Sequence, residues 1–138
     1  MWYRKGMRRL APIIVALLAL PLLGASAPPG ARALAGVQPG LWEVSRSATG
    51  QGARRICLRD VASLASFAHP RERCQRTILG DRPGELVVDL QCVGGEFARS
   101  RISVTTPRSL KLESQGIHGG EPFDMTLYAR RVGPCRPF

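Results

Sequence analysis

The sequence predicts a mainly β protein, a curved antiparallel sheet or small β-sandwich of about seven strands with one short helix, closed by two disulfides. Three observations lead there. Apolar and polar residues alternate in successive runs of about five to ten residues, the period of a half-buried strand. Gly- and Pro-bearing turns separate these runs at intervals too short for βαβ crossovers, which excludes a parallel sheet. Four cysteines, Cys57, Cys74, Cys92 and Cys135, fall within one stretch of roughly 100 residues, the pattern of a disulfide framework.

The elements follow in order. Gln38-Pro39-Gly40 turns the chain into a strand over 41–46, with Trp42 and Val44 on one face and Glu43 and Ser45 on the other. A second strand covers 54–58, with Ile56 and Leu58 facing one way and Cys57 the other. Asp60 then caps a short helix in which Val61, Leu64, Ala65 and Ala68 share a stripe, and Pro70 stops it. Strands are expected over 76–79 and 85–92, separated by a turn over 80–84, with Leu86, Val88, Leu90 and Cys92 inward. Further strands cover 97–105, 109–115 and 123–132, and a Gly-rich loop spans 116–122. Trp42, Phe97 and Phe123 are the expected core anchors, joined by Phe67, because so few aromatics are available to fill a small core.

Residues 1–35 read as a secretory leader. Arg4, Lys5, Arg8 and Arg9 precede an apolar run over 10–23, and small residues with A-x-A sites follow. The apolar run is about 14 residues, shorter than the roughly 20 needed to span a bilayer. Cleavage after Ala35 is preferred, because Pro28 would follow the site at Ala25-Ser26-Ala27. The remaining residues, 36–138, make one domain, periplasmic or secreted, with no stable transmembrane span. Five of the 20 basic residues precede Gly36 and all ten acids follow it, so the mature charge is 15 minus 10, or +5.

The cysteines allow three pairings. The preferred one is Cys57–Cys74 with Cys92–Cys135, the first stapling the helical excursion and the second tying the last strand to the middle of the sheet. No C-x-x-C pair is present, and neither His69 nor His118 stands at zinc-finger spacing from a cysteine, so no metal site is expected.

Five segments acquire meaning together: Pro39-Gly40-Leu41-Trp42-Glu43, Ile56-Cys57-Leu58, Cys92 with its following glycines, Glu113-Ser114-Gln115-Gly116-Ile117, and Ala129-Arg130-Arg131-Val132-Gly133-Pro134-Cys135. In this order the set resembles the DUF3617 family of small exported bacterial proteins. The resemblance implies an extracytoplasmic compartment and a β-rich fold, and it carries no catalytic residue and no assigned activity.

The residues themselves point away from catalysis. No nucleophile elbow, zincin motif, phosphate loop or dinucleotide fingerprint is present, and no cofactor is expected. His69, just before Pro70, reads as a cap on the last helical carbonyls. His118 reads as an exposed loop residue, and an alternative in which His118 and Glu121 serve a small extracellular hydrolase lacks a nucleophile motif. Arg99, Arg101 and Lys111 are expected on one outer face, where they could bind an anion such as a lipid phosphate or an acidic glycan. Glu113, Asp89 and Asp124 on the same wet surface favour an ordinary mixed-charge face. Nucleic acid fits poorly, since no interleaved aromatics offer a stacking surface. The leading expectation is a non-catalytic domain that binds an envelope lipid, glycan or protein, or supports envelope structure.

Overall fold

The computed structural model describes residues 24–136. The charged and apolar parts of the expected leader, residues 1–23, lie outside the described residues. Seven strands form one antiparallel sheet: β1 Gly40–Ser45, β2 Arg54–Leu58, β3 Cys74–Arg82, β4 Glu85–Cys92, β5 Phe97–Thr106, β6 Ser109–His118 and β7 Glu121–Gly133. Their order is β2-β1-β7-β6-β5-β4-β3. Strands β3 to β7 are a simple meander, and β1 and β2 add to its free side through β7. Among the described residues no helix is long and apolar enough to cross a membrane.

The inner face carries the alternation read from the sequence. Trp42 and Val44 of β1, Leu86, Val88 and Leu90 of β4, Ile102 of β5, Leu110 and Leu112 of β6, and Leu127 and Ala129 of β7 are all buried. Residues of β2 and of β3 and β4 line one common cavity although these strands stand at opposite ends of the sheet order, so the sheet curls around its apolar face. A single curled sheet, rather than a sandwich, is the outcome.

The expected helix forms as a six-residue 3₁₀ helix, Val61–Ser66. Asp60 caps it by accepting from the Ala62 amide at 3.0 Å. Its bonds run from residue i to i−3, as in Phe67 N–H to Leu64 and His69 N–H to Ser66, the geometry adopted when a helix is too short for a full α-turn repeat. Val61, Leu64 and Ala65 point into the core as expected. The helix is pinned from below by Ser100, which donates from Oγ to the Ala65 carbonyl at 2.7 Å and lies 2.9 Å from Ser114 Oγ.

Three details depart from the expectations. Strand β3 continues past residue 79 because Leu79 is bulged out between Ile78 and Gly80, leaving only Pro83-Gly84 as the turn. Strand β6 runs on to His118, and Gly119-Gly120 closes the hairpin. Phe97 is 36 % exposed rather than a core anchor. It shares parity with Arg99 and Arg101, and with a period of two it must join them on the outer face.

The disulfides are Cys57–Cys135 and Cys74–Cys92, which corrects the preferred pairing. Antiparallel register is the reason. Cys74 stands opposite Cys92 across β3 and β4. Leu41 pairs with Cys57 on one side and Gly133 on the other, bringing the end of β7 to the end of β2.

Candidate functional site

One end of the curled sheet gathers four side chains from four separate segments. His69 follows the 3₁₀ helix, Glu72 precedes β3, Glu96 lies between β4 and β5, and His118 ends β6. Meander topology explains the meeting: β5 begins where β6 ends, with Phe97 opposite Ile117, so Glu96 and His118 become neighbours. The Cys74–Cys92 bridge holds the segment carrying Glu72 against the turn carrying Glu96.

His69 is 2 % exposed. Its Nε2 lies 2.9 Å from the Ile117 carbonyl and 3.6 Å from Glu96 Oε2. His118 Nδ1 lies 3.4 Å from both Glu72 Oε1 and Glu96 Oε2. The two imidazole rings meet edge to face at 5.0 Å. Glu96 is aimed by its other oxygen, Oε1, which accepts the Gly119 amide at 2.6 Å. Buried polar atoms without a hydrogen-bond partner include His69 Nδ1, Glu72 Oε2 and Glu96 Oε2. Native proteins leave few such atoms, and three at one place mark an unusual site.

His69 and Glu72 of this cluster also line a cavity of about 590 Å³ under the 3₁₀ helix, between the two edges of the sheet. Ile56 and Leu58 of β2, Leu64 and Phe67 of the helical segment, and Leu90 of β4 supply apolar walls. Arg54 of β2 and Arg76 of β3 also line it, Arg76 donating to Ser66 Oγ at 3.3 Å.

The residues singled out from sequence are distributed differently. His69 does not cap the helix; its side chain crosses to β6, because the turn before Pro70 directs it beneath the sheet end. His118 stands opposite Glu121 in the hairpin register, yet its ring faces Glu72 and Glu96. Arg99, Arg101 and Lys111 share the outer face, each beside an acid: Arg99 is 3.3 Å from Asp89, Arg101 is 3.7 Å from Glu85, and Lys111 is 2.9 Å from Glu113. The Glu113 hydrogen bond raises the Lys111 pKa above its ordinary value, while the Arg82 hydrogen bond lowers that of Glu85. On β1, the Arg130 hydrogen bond likewise lowers Glu43, with Arg55 assisting. The outer face is therefore a lattice of exposed ion pairs, each worth little. Glu72 and Glu96 were not found by sequence reasoning. They are two isolated glutamates with no motif spacing to each other or to either histidine, so no local signal points to them.

Fold and site together define a small disulfide-stapled antiparallel sheet whose unusual polar chemistry is concentrated at one end. The family model described as "Protein of unknown function (DUF3617)" matches residues 37–135, and the chain belongs to that family. No curated protein and no solved structure matches it.

Proposed function

We propose that the chain is an exported, non-catalytic binding domain of the bacterial envelope that accepts an anionic amphiphile in the cavity under the 3₁₀ helix. The observation that carries this reading is the cavity itself. It has the size usual for a small-molecule site, apolar walls from Ile56, Leu58, Leu64, Phe67 and Leu90, and two arginines, Arg54 and Arg76, against one carboxylate, Glu72, in its charged lining. Four bridged cysteines support an oxidising compartment. The alternative anion surface at Arg99, Arg101 and Lys111 is weaker, because its cations already face Asp89, Glu85 and Glu113. A hydrolase built on His118 and Glu121 is weaker still, since the His118 ring is engaged by Glu72 and Glu96.

Titration with 1-anilinonaphthalene-8-sulfonate, an apolar sulfonate, tests the reading by fluorescence. Saturable binding at one site per folded chain is expected. Arg54→Glu with Arg76→Glu should weaken it about tenfold, the equivalent of roughly 1.4 kcal/mol. Arg99→Glu with Arg101→Glu should leave it unchanged. Absence of saturable binding, or sensitivity to the Arg99 and Arg101 pair alone, would overturn the cavity as the ligand seat.

A further inference from the structure

We infer that His69, Glu72, Glu96 and His118 form a seat for one divalent first-row transition metal ion, with zinc the best match. The inference goes beyond the amphiphile cavity, whose lining shares His69 and Glu72 with this seat, and stands on the mutual geometry of the four donor groups. The donor set is two imidazoles and two carboxylates, a combination suited to zinc rather than to the all-oxygen shells of magnesium and calcium. One donor atom from each residue lies within 4.8 Å of all the others. Zinc–nitrogen and zinc–oxygen bonds of about 2.0–2.1 Å arranged tetrahedrally place neighbouring donors roughly 3.3 Å apart. The 3.4 Å separations of His118 Nδ1 from Glu72 and Glu96, and the 3.6 Å separation of His69 Nε2 from Glu96, are close to that spacing.

A simple ion-pair network would leave these groups satisfied by each other. Instead Glu72 Oε2 is buried with no hydrogen-bond partner, and Glu96 Oε2 is buried and makes no hydrogen bond although His118 Nδ1 stands 3.4 Å and His69 Nε2 3.6 Å away. Such desolvated acceptors are costly unless a cation meets them. A metal ion binds such groups as carboxylates and neutral imidazoles, and in that form the set carries a charge of −2, which a divalent ion cancels. Glu96 is oriented for this role by the Gly119 amide, which donates to its Oε1. Coordination through His69 Nε2 exchanges its hydrogen bond to the Ile117 carbonyl for the metal bond and moves the ring proton to Nδ1. The half-exposed His118 side chain leaves a route for entry from solvent.

Calorimetric titration of zinc chloride into the tag-free, chelator-stripped, oxidised protein at neutral pH is the test. One ion should bind per chain, micromolar or tighter, and raise the melting temperature, since a ligand that binds only the folded state stabilises it. His118→Ala and Glu96→Gln should each lower affinity at least about tenfold, the scale lost even when outer contacts of a metal site are removed. His118 is half exposed, so its variant is expected to retain the wild-type circular dichroism and metal-free melting temperature. Arg54→Glu with Arg76→Glu should not weaken zinc binding, which separates failure here from failure of the cavity reading. Lack of stoichiometric zinc binding by the wild type would overturn the inference. So would wild-type affinity in both His118→Ala and Glu96→Gln, or magnesium chloride binding as tightly as zinc.

Discussion

At the scale of single residues, buried polar groups shape this molecule as much as the apolar core does. Ser100 is fully buried and satisfies the Ala65 carbonyl while bonding to Ser114. Ser100→Ala removes the donor, leaves that carbonyl unpaired, and is expected to cost about 1–3 kcal/mol in urea unfolding; a change under about 0.5 kcal/mol would mean that the 3₁₀ helix is held by packing alone. Gly116 is fixed by close approach. A Cβ there would strike the Phe97 carbonyl and lie 2.8 Å from Ala98 Cα, on the strand β5 with which β6 pairs. The sequence marks Gly116 only as part of a resemblance segment, because no local pattern foretells which glycine will face a neighbouring backbone.

At the scale of elements, alternation was a good guide to strands and a poor one to their ends. Strands β2 and β4 occupy the residues expected, since turn chemistry bounds them on both sides. Strand β3 ran on through a bulge, because pairing with β4 outweighs the local preference of Gly80-Asp81-Arg82 for a turn. The segment before β1 also became an element of the fold. Ala33 is buried, donates its amide to Asp81 Oδ1 at 2.7 Å and accepts from the Gly84 amide at 3.2 Å, while Gly30 lies against Leu86. A chain starting at Gly36 would lose all of this. On the exported reading proposed above, cleavage upstream of Gly30 keeps these contacts and cleavage after Ala35, the site preferred from sequence, removes them; the intact mass of the protein from its native cell distinguishes the two.

At the scale of the whole molecule, the two disulfides restrain very different lengths of chain. Cys57–Cys135 closes a sequence separation of 78 and Cys74–Cys92 one of 18. On the chain-entropy model the first stabilises by about 4–5 kcal/mol and the second by about 3 kcal/mol. Paired Cys→Ser variants, unfolded in urea, should rank in that order, and the reverse ranking would place the main stabilisation in local geometry. Composition, alternation and cysteine count by themselves determined that this chain forms a mainly antiparallel β fold of about seven strands with two bridges, because strand periodicity and turn chemistry are local properties; that the strands make one curled sheet and not a sandwich was decided in the tertiary structure. Which cysteines join, where Phe97 points, and that His69, Glu72, Glu96 and His118 converge were decided only in the tertiary structure. Those outcomes depend on strand register and sheet order, which bring residues far apart in the chain to one place and leave no mark on any short stretch of sequence.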